Sequence, residues 1–536
     1  MLAPVTDAGR GAQRLTRGAG ATALGTAGSR LLGAVRDAVI AASFPAVATD
    51  AFFVAFTIPN TLRSLLAEGA VSAAIVPTFT KLRETRGHAA ARRFHARATG
   101  AMLLVLAATC AAGIALAEPL VVLFAGGYEP VRFAATVELL RVVFPYLLLV
   151  GIAAMHAGAL QACGRFALPA AAPALLNAAL IASPWLLSAP ATDLGLPEAG
   201  ALALGTLAGG LAHVLVQLPA LHRAGVLDPP RFAWDSDVRR AFGLLVPVAL
   251  GAGVYQLNVL LSRLFASYLP EGSQSWLYYG QRVVEIPQGM LALAVATASL
   301  PVLSEHVAHG RAQAVERTAA DAVRLTTFLA LPCALLATAL AEPVVAVLFG
   351  RGRFDAHAIE QTARSLAVMG LGVWPIAIAR NLVPVFHAHG DTRRPVRATF
   401  LNLIVFALVS VSLLSSLGHL AIAVGTVVGG LAQMIALVAM VRTHVRISAE
   451  TRRTVARSIA RTAVAAAVAV TSASSLARLG DWPAGGNEPR NWLVALGTAI
   501  VALVAFTVTA RLLRSPELGE VRAALSRRRT GAVRSE

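Results

Sequence analysis

The sequence predicts an all-α polytopic membrane protein of about fourteen transmembrane helices, built as two parallel six-helix lobes followed by two C-terminal helices. Three observations lead there. Hydrophobic residues make up 57% of the 536-residue chain and charged residues only 14%, with a mean hydropathy of +0.68. The apolar residues fall in blocks of about 17 to 25, the length that crosses a hydrocarbon core about 30 Å thick. Short motifs recur further along the chain at a nearly constant offset. Such a composition excludes an ordinary soluble domain and a disordered chain alike.

Taken in order, candidate helices lie near 21–44, 51–79, 98–117, 142–164, 167–188 and 199–221, then near 241–269, 275–303, 325–341, 365–386, 399–417 and 420–441, with two more near 462–476 and 492–510. Met1–Gly20 carries Arg10, Arg14 and Arg17 but no compact apolar core followed by a small-residue cleavage site. The first helix is therefore expected to direct insertion by itself. Basic residues cluster after even-numbered helices: Lys81 to Arg97, Arg165, Arg223 to Arg240, Arg311 and Arg317, Arg393 to Arg397, Arg442 to Arg453, and Arg522 to Arg529. That alternation sets an orientation with both termini cytoplasmic.

Val76-Pro77 recurs as Leu300-Pro301 and Glu118-Pro119 as Glu342-Pro343, both 224 residues on. Gly164 matches Gly390 and Pro169 matches Pro395 at 226, and Leu176-Asn177 matches Leu401-Asn402 at 225. An offset spanning six helices puts both halves into the membrane in the same direction, and transporter sites commonly lie between such repeats. The expected division is an N-lobe over 1–222, a C-lobe over 223–445, and an appended pair with a basic tail over 446–536.

The net charge of +18 is the usual footprint of nucleic-acid binding. Its placement in alternate loops argues against that partner. Cys110, Cys163 and Cys333 lie in apolar stretches with no CxxC pattern, as small core residues rather than disulfides or metal ligands. There is no Walker loop, metal-ligand cluster or nucleophile beside a base, so no catalytic apparatus and no cofactor is expected.

Charge inside the membrane is where function should lie, because an arginine at mid-bilayer costs about 2.5 to 3.5 kcal/mol on insertion scales. The first helix places Ser29, Arg30, Gly33, Arg36 and Asp37 along one face. Arg36 and Asp37 have a structural alternative, pairing with each other near one end. The second helix carries Asp50, Pro59, Asn60, Arg63 and Glu68. A break is expected near Pro59, and Arg63 and Glu68 are spaced too far apart to pair directly. The eighth presents Gln274, Tyr278, Gln281, Arg282, Glu285 and Gln288 at helical spacing. Guanidinium groups grip phosphate oxygens bidentately and stay charged at physiological pH. Arg30, Arg36, Arg63 and Arg282 thus point to an anionic cargo such as a phosphate or diphosphate, with Asp37, Asp50, Glu68 and Glu285 as supporting or gating carboxylates.

The stretch Ser29-Arg30-Leu31-Leu32-Gly33, Arg36-Asp37, Thr49-Asp50-Ala51-Phe52-Phe53-Val54-Ala55-Phe56, Ile58-Pro59-Asn60, Leu62-Arg63 and Leu66-Ala67-Glu68-Gly69-Ala70 resembles the start of the MurJ (MviN) family of lipid II flippases. The resemblance continues through Ser275-Trp276-Leu277-Tyr278-Tyr279 with Arg282 and through Gly390-Asp391-Thr392 with Pro395. It implies the fold of the multidrug/oligosaccharidyl-lipid/polysaccharide exporter superfamily and a cavity lined by Arg30, Arg36, Arg63 and Arg282. It further implies lipid II, an undecaprenyl-diphosphate-linked disaccharide-pentapeptide, as cargo, a bacterial inner-membrane location, a monomer, and a tail groove at the last two helices. The chain departs from the family at Thr57 and Ser64, where another basic residue is frequent, and at Gln281, where an acid is frequent. Rival functions are a flippase for another polyprenyl-diphosphate oligosaccharide, a cation-coupled drug exporter, which an arginine-lined cavity disfavours by repelling cations, and a scaffold. The coupling source, whether a proton, another cation or the membrane potential, is not legible.

Overall fold

The computed structural model describes residues 28–29, 31–66, 70–288 and 293–523, and among them all regular structure is helical. Two compact units divide at Gln274 and Ser275.

The first unit contains α1 (31–43), α2 (Ala46–Leu66), α3 (Ala70–Arg86), α4 (His88–Ala115), α5 (Ala117–Ala125), α6 (Pro130–Val143) and α7 (Tyr146–Ala162). It continues through α8 (Ala167–Ala171), α9 (Ala174–Leu186), α10 (Ser188–Asp193), α11 (Gly200–Leu215), α12 (Leu218–Arg223) and α13 (Ser236–Ser267). Within this unit α13 packs against α2, α3, α4 and α5. Asp235 opens α13 by accepting from the Asp237 and Val238 amides, leaving fewer of the first-turn N–H groups unmet.

The second unit holds most of α14 (Ser273–Pro287), then α15 (Leu293–Ala308), α16 (Ala312–Ala339), α17 (Ala341–Phe349), α18 (Ala356–Leu371), α19 (Val373–Ala388), α20 (Arg393–Leu417) and α21 (His419–Val441). The appended pair is α22 (Ala449–Ala477) and α23 (Pro489–Leu512), joined by a 3-10 turn over Trp482–Asn487, and a short helix α24 (516–523) follows.

Each expected segment coincides with one or more helices. Nine described helices or helix runs are long and apolar enough to cross a membrane, ten if α18 and α19, bent by 40°, form one span. The chain is a multi-pass membrane protein. The helices outrun the apolar blocks at their basic ends: α4 begins at His88 and takes in Arg92, Arg93 and Arg97, and α22 begins at Ala449 and takes in Arg452, Arg453, Arg457 and Arg461. Arginine and alanine are both strong helix formers, so the helix continues where hydropathy stops. The largest difference is α6, expected as a loop, where Pro130 occupies the first helical turn. The expected break near Pro59 is also absent: α2 runs continuously from Ala46 to Leu66, with the Thr57 hydroxyl donating to the Phe53 carbonyl at 2.5 Å.

The repeat appears within each unit as local geometry. Gly164 and Gly390 end α7 and α19 with φ of 76° and 71°, a left-handed conformation that costs glycine least. In each, the residue after the glycine donates its amide to a carbonyl five residues back, Arg165 to Leu160 and Asp391 to Phe386. Small-residue ridges give a further match. Gly205 and Gly209 of α11 lie against Ser183 and Leu176 of α9, and Gly425 and Gly429 of α21 lie against Phe406, Ser410 and Asn402 of α20. Such spacing lets helix backbones approach closely where no hydrophobic drive operates between them. The opposite face of α20, Leu401, Ile404, Leu408 and Val411, is exposed at helical spacing, as a lipid-facing stripe requires.

Candidate functional site

On α1, Arg36 and Asp37 are buried, at 9% and 2% exposure. Arg36 donates through Nε at 2.8 Å and Nη2 at 2.6 Å to Asp37 Oδ1, and through Nη1 at 3.0 Å to Asn177 Oδ1 on α9. Asn177 Nδ2 in turn donates to the Ser29 carbonyl at 3.0 Å. The two side chains pair with each other, and they do so while buried rather than reaching out to solvent. Burying a guanidinium is costly unless it is paired and hydrogen-bonded, and these contacts supply both. Asn177 enters the sequence pattern only as a marker of the repeat, and nothing in its spacing relative to Arg36 signals the contact. Arg30 and Glu68 lie outside the described residues.

On α2, Asp50 is fully buried and accepts the Gly272 amide at 2.8 Å. Arg132 of α6 approaches it at 3.9 Å while pairing with Glu271 at 2.9 Å, and its guanidinium lies 4.8 Å from the Tyr128 ring centre. The Tyr128 hydroxyl donates to the Asp50 carbonyl at 3.3 Å. Asp50 therefore ties the loop after α13 to the start of α2. Arg132 was not among the sequence candidates, because its helix lies in a stretch too charged to register as apolar. The signal available was Pro130 at a helix start followed by Arg132, Thr136 and Leu139 on one face.

Further along α2, Arg63 Nε donates to Asn60 Oδ1 at 2.9 Å and the side chain is half-buried. The neighbouring departure from the family pattern has its own partner: Ser64 Oγ donates to the Thr61 carbonyl and accepts from Gln256 of α13 at 2.6 Å. On α14, Arg282 donates to Glu285 at 2.7 Å and to the Tyr278 hydroxyl at 3.0 Å, with its guanidinium 4.9 Å from the Tyr278 ring centre. Its side chain stays 35% exposed and that of Glu285 39%. Arg63 and Arg282 are thus held in place by residues three or four positions away on their own helices, the spacing at which helical side chains meet. An accessible, pre-oriented guanidinium is suited to gripping an oxyanion.

Among the described residues no three His, Cys, Asp or Glu side chains form a group able to hold a metal ion. The three cysteines are free.

Residues 40–481 match the family model described as lipid II flippase MurJ. The chain belongs to the MurJ family. A probable lipid II flippase MurJ of Vibrio cholerae is 35% identical over 409 residues, covering 74% of this chain and 77% of that protein. A lipid II flippase MurJ of Burkholderia cenocepacia is 36% identical over 411 residues, covering 75% and 78%. Among solved structures, a lipid II flippase MurJ in an inward closed conformation superposes with a TM-score of 0.75 at 20% identity, over 92% of this chain and 99% of that one. An inward-facing multidrug resistance MATE transporter superposes with a TM-score of 0.65 at 14% identity, over 79% and 96%. The MurJ family expected from the resemblance is that of this chain, and its fold is the one these MurJ and MATE structures share.

Proposed function

We propose that this MurJ-family chain translocates lipid II from the cytoplasmic to the outer leaflet of a bacterial inner membrane by alternating access, as a monomer with both termini cytoplasmic. The observation that carries the reading is the pair of accessible guanidiniums, Arg63 braced by Asn60 and Arg282 braced by Glu285 and Tyr278. They fall on helices that the repeat relates, one basic group on each, and either is suited to grip a diphosphate oxygen. Arg30 joins them by its place in the family pattern, and Arg36, engaged with Asp37, acts as the support that fixes α1 against α9. Asp50 secures one end of α2 through the Gly272 amide. The undecaprenyl tail stays in lipid beside α22 and α23. No bond is made or broken in this cycle, which makes the chain a carrier and not a catalyst.

The decisive experiment replaces the native protein by Arg63→Glu and measures lipid II exposed on the outer face of cells. The charge reversal should reduce exposure to the level of depleted cells, while Arg63→Lys retains part of it. Normal exposure in the Arg63→Glu strain overturns the role given to Arg63. Unchanged exposure on depletion of the whole protein favours another cargo.

A further inference from the structure

The repeat marks a place where the two units share a turn and differ in charge. Gly164 and Gly390, and Pro169 and Pro395, fix an offset of 226 across the turns that follow α7 and α19. At that offset Arg393, Arg394 and Arg397 of α20 stand where the first unit has Ala167, Leu168 and Ala171 of α8. The turn itself needs no arginine at these positions, since the first unit makes it with alanine and leucine. That unit closes its turn through Arg165, which donates to the Ala220 carbonyl at 2.8 Å and to the Arg223 carbonyl at 3.2 Å. Asp391 takes the corresponding place in the second unit and gathers basic groups instead.

Asp391 Oδ1 accepts the amides of Arg393 and Arg394, each at 3.1 Å, so the first-turn N–H groups of α20 are met from within the chain. Its Oδ2 accepts from Arg394 Nη1 at 2.5 Å and from His444 Nε2 at 3.0 Å. His389 stacks on His444 with ring centres 4.6 Å apart, and its Nδ1 donates to the Val385 carbonyl at 2.7 Å. These groups line an open cavity of about 440 Å³ together with Thr392, Arg393 and Arg397, inside the range of about 300–1,000 Å³ for small-ligand sites. One carboxylate thus faces three guanidiniums and is spent on Arg394. Among the described residues no carboxylate pairs with Arg393 or Arg397. Charge placed only to orient a loop has no need to converge on one cavity.

Arg393 and Arg397, four residues apart, share a face of α20 with Phe400, Ile404 and Leu408, and all five are exposed. Basic charge therefore heads the lipid-facing stripe, with Leu408 about 16 Å along the axis from Arg397. We propose that this cavity binds a phosphate anion, gripped by Arg393 and Arg397 beside an Arg394 that Asp391 and His444 hold in place. Guanidinium forks match phosphate oxygens and keep their charge. The same chemistry is offered by the headgroup of an anionic phospholipid, its chains lying on Phe400, Ile404 and Leu408, and by free phosphate. The site shares no residue with Arg63 and Arg282, so it stands or falls apart from the cargo reading.

The test follows hydrogen exchange at 389–397 in the full chain, held in nanodiscs of phosphatidylcholine. One arm adds phosphatidylglycerol to the nanodisc and the other adds inorganic phosphate to the buffer. Exchange in the wild type should slow in a saturable way in at least one arm. Slowing by phosphatidylglycerol alone assigns the site to a lipid headgroup, and slowing by phosphate assigns it to the free anion; both are phosphate binding at this cavity. Arg393→Ala/Arg397→Ala, which copies the residues of the first unit and keeps the Asp391 contacts, should raise the concentration needed by at least about tenfold with an unchanged thermal midpoint. No slowing of the wild type in either arm, or slowing that persists undiminished in the double variant, overturns the proposal.

Discussion

Removing the Asp37 carboxylate takes a charged acceptor away from a buried guanidinium in the first unit, and the cost follows from the contacts. Among the described residues, Asp37 receives two of the three hydrogen bonds that Arg36 makes to side chains, at 2.8 and 2.6 Å. The third, to Asn177, is directed at a neutral amide oxygen 3.0 Å away. An exposed pair would contribute about 0–1 kcal/mol. Here the two side chains are only 10% and 3% accessible, so breaking the pair from one side falls in the range of about 3–5 kcal/mol. Asp37→Ala should lose that much in equilibrium unfolding in mixed detergent micelles. Asp37→Asn, which keeps an acceptor but not the charge, should lose roughly half, because charge-assisted hydrogen bonds are about twice as strong as neutral ones. The double variant Arg36→Met/Asp37→Ala should recover most of the loss, since no lone charge remains to be buried. Stability of Asp37→Ala within about 1 kcal/mol of wild type, or a double variant no better than the single, would refute the claim that Asp37 neutralises a buried Arg36.

Other expectations follow from single contacts. Asp50→Ala should free the Gly272 amide and speed hydrogen exchange across 268–274, together with slower appearance of lipid II outside the cell; unchanged exchange there argues that Asp50 does not hold this loop. Gly425→Leu should force α20 and α21 apart, because a β-carbon at 425 would fall 2.1 Å from Ser410 Oγ and 2.9 Å from the Phe406 carbonyl oxygen; overpacking of this kind costs about 1–3 kcal/mol, to be read from the same unfolding assay. Glu517 is fully buried and accepts from Arg324 at 2.9 Å and from Ser458 at 2.6 Å, so Glu517→Ala should expose 515–523 to limited proteolysis, and wild-type resistance would show that α24 is docked by its apolar residues alone. The hydrogen bond from His444, with Arg394 beside it, holds the Asp391 carboxylate well below its usual range. A depressed carboxylate stabilises the fold above its unfolded pKa of about 4 and loses that contribution as pH falls through the folded value. The thermal-midpoint gap between wild type and Asp391→Asn should therefore be present at pH 6 and narrow on acidification below about pH 4; a gap that widens there contradicts the clamp.

What sequence alone determined about this protein is its solvent, its family and the helices that carry charge. Hydropathy is a sum over consecutive residues, and about 20 apolar residues are needed to span a bilayer wherever they pack. The arginine stripes were legible for the same reason, since spacing along one helix places residues on one face without reference to any other element. The motif running from Ser29 to Ala70 carried the family, and the relatives and the fold agree with it.

Tertiary structure decided the partners. Arg36 could face a cargo or bond its neighbour, and only the position of Asn177, 141 residues away, places it in a network with Asp37 that reaches a second helix. Arg132 and Gln256 were invisible for a related reason: a charged stretch such as α6 reads as a loop until neighbouring helices cover its apolar face, and the value of Gln256 lies in meeting Ser64, 192 residues distant. The second repeat ridge, Gly205 and Gly209 against α9 and Gly425 and Gly429 against α20, stood in the sequence as four small residues and gained meaning only from the backbones that press on them. Periodicity is a local property of the chain, whereas pairing, capping and burial depend on which segments meet in space, and that depends on packing free energy summed over the whole molecule.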